Sequence, residues 1–189
     1  MLGGVRPSCW TKDGLMTNDH ESAPLGGGVE ELTFRDVLGN FATGVTIITA
    51  NDGGEQVGMS ANSFTSVSLD PPLVAFCAAH TSTTYPRIRS AGHFCVNVLA
   101  EEQADIARLF SVRGIDRFAE ISWQPASSGA AIIEGDLAWV DCVVEAEHVA
   151  GDHVVVIGRV LACEAFAMRR PLLFFRGEFG VERPEDEPE

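Results

Sequence analysis

The sequence predicts a mainly β protein, a closed or nearly closed barrel with a few helices at its periphery. Three observations predict it. Apolar, β-branched runs follow one another without the strand-helix-strand alternation of a doubly wound sheet. Turn signals rich in Gly join consecutive runs, as at Asn51-Asp52-Gly53-Gly54. Two long runs, Leu137–Val149 and Val154–Phe166, meet across Ala150-Gly151-Asp152 as one hairpin. Closing such a sheet on itself removes its open edges.

Residues 1–28 hold Gly, Pro, Ser, Asn and Asp without periodicity and read as a disordered leader, in which Met16 offers a second start. One domain follows over 29–181, and residues 182–189 form an acidic tail read as disordered. Order begins near Leu32. Thr33 can cap a helix with Asp36 three residues on, Phe34, Val37, Leu38 and Phe41 share a face, and Gly44 stops it. Val45–Ala50 is a strand, and Val57 begins its hairpin partner. Further strands are expected at Leu73–Ala79, His93–Leu99 and Leu172–Arg176. Two helices interrupt, Thr83–Ser90 and Glu101–Phe110, the second with Ile106, Leu109 and Phe110 inward and an acidic first turn that suits its dipole.

Composition narrows the function classes. The chain has 189 residues, 46% of them apolar, enough for one buried core and short for two domains. Its 27 acidic and 13 basic residues give a net charge of −14, which argues against nucleic acid or an anionic membrane as the main target. No apolar run reaches the ~18 residues of a membrane span, and the N-terminus lacks the pattern of a signal peptide. A cytoplasmic protein is the expectation. Cys9, Cys77, Cys95, Cys142 and Cys163 are scattered without a CxxC, and all but Cys9 lie in apolar runs, so they read as small buried hydrophobes.

Three stretches invite a chemical reading. In residues 58–77, GMSANSFTSVSLDPPLVAFC, small and hydroxyl residues occupy both alternation phases before Asp70-Pro71-Pro72 turns the chain into an apolar strand. Thr81-Ser82-Thr83-Thr84 puts four hydroxyls between a buried strand and a helix, with Arg87 and Arg89 within the next two turns. Hydroxyls at a helix start, backed by cations, suit a phosphate; read alone, plain N-capping is the favoured account. Gly151-Asp152-His153 is ordinary turn chemistry in isolation. His148 lies across the hairpin from His153, yet no third metal ligand and no HExxH follow, so no metal is expected. GxSxG, GxGxxG and GxxxxGK[ST] are all absent, which leaves esterase, Rossmann and P-loop chemistry unsupported.

Taken together, the motifs resemble the flavin reductase-like family. They are Phe34-Arg35-Asp36-Val37-Leu38-Gly39, Phe41-Ala42-Thr43-Gly44-Val45-Thr46, Gly58 through Pro72, Phe94-Cys95-Val96-Asn97-Val98-Leu99, Asp116-Arg117-Phe118, Gly151-Asp152-His153 and Pro171 through Gly177. The likeness runs in order from about residue 33 to 180 and looks closest to reductases feeding aromatic and steroid-ring hydroxylases. It implies an FMN-binding split β-barrel, a homodimer, and reduction of FMN or FAD by NADH or NADPH for a partner monooxygenase. The strand Gly58–Phe64 would then lie along the isoalloxazine ring. By the same resemblance the flavin contacts are Gly58, Met59, Ser60, Asn62, Ser63, Ser68, Leu69, Cys77, Ala78, Ala79, Ser82, Thr83, Thr84 and Asn97. The nicotinamide contacts are Gly151, Asp152, His153 and Val154. No acid–base residue is implied, because the cofactors carry the chemistry and the protein positions them. Where relatives often have Tyr in the last strand, this chain has Phe174 or Phe175, which removes a hydroxyl. Two other readings stay open, an oxidase of the pyridoxamine phosphate type and a flavin carrier or sensor without turnover.

Overall fold

The computed structural model describes residues 28–112, 114–166 and 169–180; the expected leader up to residue 27, with Cys9, and the expected tail lie outside them. In chain order the elements are α1 (Glu31–Leu38), β1 (Thr43–Gly44), β2 (Thr46–Asp52), β3 (Glu55–Ala61), β4 (Thr65–Leu69), β5 (Pro72–Ala79), α2 (Tyr85–Ala91) and β6 (His93–Val98). A 3-10 turn at Glu101–Gln103 leads into α3 (Ala104–Ser111). Then come β7 (Trp123–Pro125), β8 (Ala131–Ile133), β9 (Ala138–Ala150), β10 (His153–Ala165), β11 (Leu173–Phe175) and β12 (Glu178–Phe179). The main sheet has seven strands in the order β3-β2-β6-β9-β10-β5-β4, every neighbour antiparallel.

Local chemistry explains the hairpins. Asn51 accepts a hydrogen bond from the Gly54 amide at 2.7 Å, and Gly53 and Gly54 take φ of +64° and +101°, a backbone that L side chains rarely adopt. The β9–β10 hairpin closes across Gly151-Asp152 with His153 opposite Ala150. It is the long hairpin that the sequence predicts, to within one residue at every strand end.

One apolar cluster fills the sheet's concave side with side chains from six strands and α2, among them Ile48, Val57, Phe76, Ile88, Phe94 and Val156. β2 is buried on both faces. Its alternate residue Ile47 packs with Val45, Leu99, Ala107, Phe110, Ile133 and Leu172 in a second cluster under α3. That explains why Val45–Ala50 carries bulky residues on both alternation phases, with Thr46 and Thr49 buried among them. Phe94 sits so close to β10 that a Cβ on Gly158 would lie 2.3 Å from its ring, so Gly158 is a packing requirement.

Four expectations need correction. α1 is capped from Glu30 rather than Thr33, ends at Gly39, and buries none of its residues: Phe34, Val37, Leu38 and Phe41 all face solvent. The helix expected from Glu101 opens with a 3-10 turn and α3 itself starts at Ala104; Ile106, Leu109 and Phe110 do pack inward, the first two half-buried. The strand expected over Gly58–Phe64 stops at Ala61, where the chain leaves one edge of the sheet for the other. Cys95 and Cys142 are buried, but Cys77 is half-buried and Cys163 exposed at the end of β10.

Asp136, between β8 and β9, is buried with no partner for either carboxylate oxygen among the described residues. Burial pushes its pKa up to about 7, against the opposing pull of Arg169. The native state therefore holds a proton that the unfolded chain, at its ordinary 3.8, releases. Stability falls as pH rises between those values and stays low above them. Asp136→Asn should raise the melting temperature at pH 8 and leave it nearly unchanged at pH 4, as read by thermal unfolding at the two pH values.

Candidate active site

The edge strand β3 runs past a row of adjoining hollows. One of about 230 Å³ is lined by Met59, Ser60, Ala79, Thr81, Ser82, Thr83, Thr84, Phe110, Ser111 and Arg117. A second of about 230 Å³ shares Ser60 and Ser111 and adds Asn62, Phe174 and Phe179. A third, about 890 Å³, lies between α1 and Asn62, Ser63 and Phe174. In the other direction Thr83, Thr84 and Arg117 also wall a hollow of about 810 Å³ that reaches Gly54 and Trp123.

Small residues shape this wall. Gly58 lets the Phe110 ring approach so closely that a Cβ there would lie 2.5 Å from it. Ser60 and Asn62 line the hollows with compact polar groups. Met59 packs on the barrel core, its sulfur 4.0 Å from the Ser82 hydroxyl. Beyond β3 the chain crosses the seam of the sheet, and Ser63 clasps it. The Cys77 amide donates to Ser63 Oγ at 2.9 Å, and Ser63 Oγ donates to the Cys77 carbonyl at 3.3 Å.

The hydroxyl run divides its work. Ser82 Oγ accepts from the Tyr85 amide at 3.1 Å, so it caps α2 as the plain reading has it. The Thr83 and Thr84 hydroxyls make no hydrogen bond among the described residues and face the hollows. The cations that the sequence offers are spent elsewhere. Arg87 is bound to Asp52 at 2.7 Å and Glu55 at 2.9 Å, and Arg89 to Glu147 at 2.9 Å. Arg117 takes their place. Its Nη1 donates to the Gly58 carbonyl at 3.0 Å and its Nε to that of Val112 at 2.9 Å, with no carboxylate in ion-pair reach among the described residues. Burial lowers its pKa, yet a guanidinium remains charged at neutral pH.

Of the remaining expected flavin contacts, three are placed elsewhere. Asn97 is fully buried: its Nδ2 donates to the Ile47 and Ala131 carbonyls at 3.2 and 3.1 Å, and its Oδ1 accepts from the Ile133 amide at 2.7 Å. It ties β6 to β2 and β8 and has no free group for a ligand. Ser68 and Leu69 pair with Leu73 and Pro72 at the start of β5, whereas the hollow lies at its end, Ala79. Six residues of strand separate the two ends, roughly 20 Å. Ala78 is buried in the core, and of Cys77–Ala79 only Ala79 lines the hollow.

The Gly151-Asp152-His153 tip stands beside this end of β5. His153 pairs with Ala79, Val154 with Ala78, and the His80 amide donates to the Asp152 carbonyl at 2.9 Å. Asp152 Oδ1 lies 2.7 Å from His153 Nδ1, and that contact holds the carboxyl below the usual range. His148 pairs with Val155 on the same hairpin, but among the described residues no three potential metal ligands come together. Sequence reasoning omitted Thr81, Phe110, Ser111 and Arg117 from the site. Arg117 was visible within Asp116-Arg117-Phe118, although its placement depends on a loop without periodicity.

A barrel edge with small residues, and with hydroxyls and a guanidinium that lack a polar or carboxylate partner among the described residues, is of the class that suits a flat, phosphorylated ligand. Comparison with known proteins gives the particular family. The model of the flavin reductase like domain matches residues 38–182, and the chain belongs to that family. It is 44% identical over 169 residues to a flavin-dependent monooxygenase reductase subunit from Rhodococcus jostii, covering 89% of this chain and 87% of that one. A flavin reductase from Pseudomonas putida is 45% identical over 148 residues, 78% and 87% of the two chains. Among solved structures, a nitrilotriacetate monooxygenase component B homologue from Mycobacterium thermoresistibile has a TM-score of 0.77 at 46% identity, over 84% of this chain and 89% of that one. An NADH:FAD oxidoreductase from Streptomyces globisporus has a TM-score of 0.78 at 36% identity, over 82% and 95%.

Asn97 separates a structural role from a binding one. Asn97→Ala should destabilise the fold by about 3 kcal/mol, because it strands buried backbone groups. Flavin affinity measured on the folded fraction should change less than twofold, which denaturant unfolding and a flavin titration on the same sample would check.

Proposed function

We propose that this chain passes hydride from NADH to a flavin and supplies the reduced flavin to a partner monooxygenase. The observation that carries the reading is the continuity of the Thr83–Thr84–Arg117 cluster with the flat wall at Gly58–Ser60. The cluster suits a phosphate and the wall suits an aromatic ring. A flavin bound there would supply hydride-accepting N5, and the nicotinamide C4 would supply the hydride.

The chain's own residues bind and orient. Thr83 and Thr84 hydroxyls donate to the phosphate and Arg117 neutralises it. Ser60 and Ala79 border the space for the ring with small side chains, and Asn62 and Ser63 stand at its far end. Asp152 fixes the His153 ring through Nδ1, leaving the other nitrogen and the ring face for the nicotinamide. No side chain moves a proton in this step; rates come from stacking two rings in register. Phe174, which lines two of the hollows, supplies surface without a hydroxyl.

The assembly proposed is a homodimer. α1 and the turn after it leave Phe34, Val37, Leu38 and Phe41 exposed, three of them (Phe34, Leu38 and Phe41) lining a hollow of about 890 Å³, and a second copy would cover that face. The cytoplasm is the proposed compartment, in keeping with cysteines left as free thiols.

NADH oxidation by the purified protein should depend on added free flavin; binding without turnover would leave only a carrier. Thr83→Ala/Thr84→Ala, which spares the Ser82 cap, should weaken FMN binding tenfold or more and riboflavin binding much less, since riboflavin has no phosphate. Equal weakening of both would assign the hydroxyls to the fold. His153→Ala should raise the KM for NADH and lower kcat/KM, with flavin affinity within about twofold, a change of ~0.4 kcal/mol. Steady-state kinetics with NADH varied at saturating flavin read this directly, and unchanged constants would remove His153 from the nicotinamide site.

A further inference from the structure

The hollow beyond the anchor is larger than a flavin monophosphate requires. It measures about 810 Å³, against about 230 Å³ beside Met59 and Ser60, and it begins at Thr83, Thr84 and Arg117, the residues assigned to the phosphate. A volume of that size falls in the range of small-ligand pockets, about 300–1,000 Å³. Its walls carry the groups that a purine nucleotide would meet.

Trp123 supplies the aromatic surface. Its indole is 39% exposed and stands edge-on to Phe118 at 6.2 Å, and Phe118 stands edge-on to Phe110 at 5.2 Å. This aromatic chain braces the indole from the barrel outward. The opposite wall is Glu55–Gly58 of β3, an edge strand whose outward backbone groups have no neighbouring strand to pair with. The Gly58 carbonyl already accepts from Arg117, so donors and acceptors for the rim of a base come from the outward groups of Glu55–Val57. Between the two walls Arg117 faces both hollows, while Arg87 on the same wall is already neutralised by Asp52 and Glu55. One unspent guanidinium at the junction of two cavities suits a pyrophosphate bridging them.

We propose that this hollow is an adenosine subsite, with Trp123 stacked on adenine and Arg117 on the pyrophosphate, and that it makes FAD the preferred flavin over FMN. The inference rests on the reading that Thr83, Thr84 and Arg117 hold the flavin's phosphate. It adds a specificity determinant, Trp123, that the ring and phosphate contacts do not include.

Equilibrium titrations with riboflavin, FMN and FAD in the absence of NADH test it. The wild-type protein should bind FAD at least tenfold more tightly than FMN. Trp123→Ala should cut that preference tenfold or more with FMN affinity within twofold, and Trp123→Phe should keep most of it. AMP should compete with FAD on the unmodified protein and leave riboflavin binding unaltered, an arm that holds even if Trp123→Ala misfolds. Equal affinity for FMN and FAD, or an unchanged ratio in a folded Trp123→Ala protein, overturns the proposal. So does a raised KM for NADH with both flavin affinities intact, which would give the hollow to the dinucleotide instead. Failure to reduce either flavin with NADH would sink the wider functional reading; equal use of both sinks only the adenosine subsite.

Discussion

The whole arrangement depends on a sheet that is not sewn shut. β3 and β4 follow each other in sequence yet lie at opposite edges of the seven-stranded sheet, so the chain must cross the gap at Asn62–Phe64. Ser63 secures that crossing through two hydrogen bonds to the Cys77 backbone. A fully laddered closure would occupy the outer backbone of β3. The Ser63 clasp instead ties the crossing to β5, so that β3 meets the hollows through Ser60 while Arg117 takes the Gly58 carbonyl. An edge that would otherwise invite pairing with another strand borders the candidate site.

Polar groups inside the barrel are placed with the same economy. Asn97 serves three strands at once, and Thr49 lies within its reach, donating in turn to the Ala131 carbonyl at 2.6 Å. Such a network fixes the mutual register of β2, β6 and β8 in a region where apolar side chains alone would tolerate slippage. Asp136 departs from this pattern, buried without a partner among the described residues and protonated more readily for it. The rigid part of the barrel thus lies under the site, and the side chains above it are free to meet a cofactor.

Much of the fold was legible because its signals are local. Asn51 through Gly54 and Ala150 through Asp152 carry turn chemistry that needs no tertiary context, and the period-two pattern around them fixes the strands. The Thr83–Thr84 hydroxyls and the Gly58–Ser60 wall were legible for the same reason. What misled was the reading of amphipathic or family-patterned residues whose partners lie elsewhere. Phe34, Val37 and Leu38 form a good helical face, but periodicity does not say whether a face meets its own core. Asn97 looks like a ligand contact by position, yet burial spends every polar atom it has. Arg87 and Arg89 look like anchors until their carboxylate neighbours, distant in sequence, are brought beside them. Arg117 gains its role from a loop that presents it, which no local pattern encodes.

The pairing of Arg87 and Arg89 also bears on how long a ligand stays. With those charges cancelled, a single guanidinium opposes the field of a chain carrying −14 overall. A phosphorylated anion leaving the site moves down a repulsive potential that acts over the screening distance of about 8 Å at physiological salt. Departure is thereby favoured as soon as the ring contacts loosen. At such a site the shape of the wall selects what enters, while the charge of the surface opposes the stay of an anion.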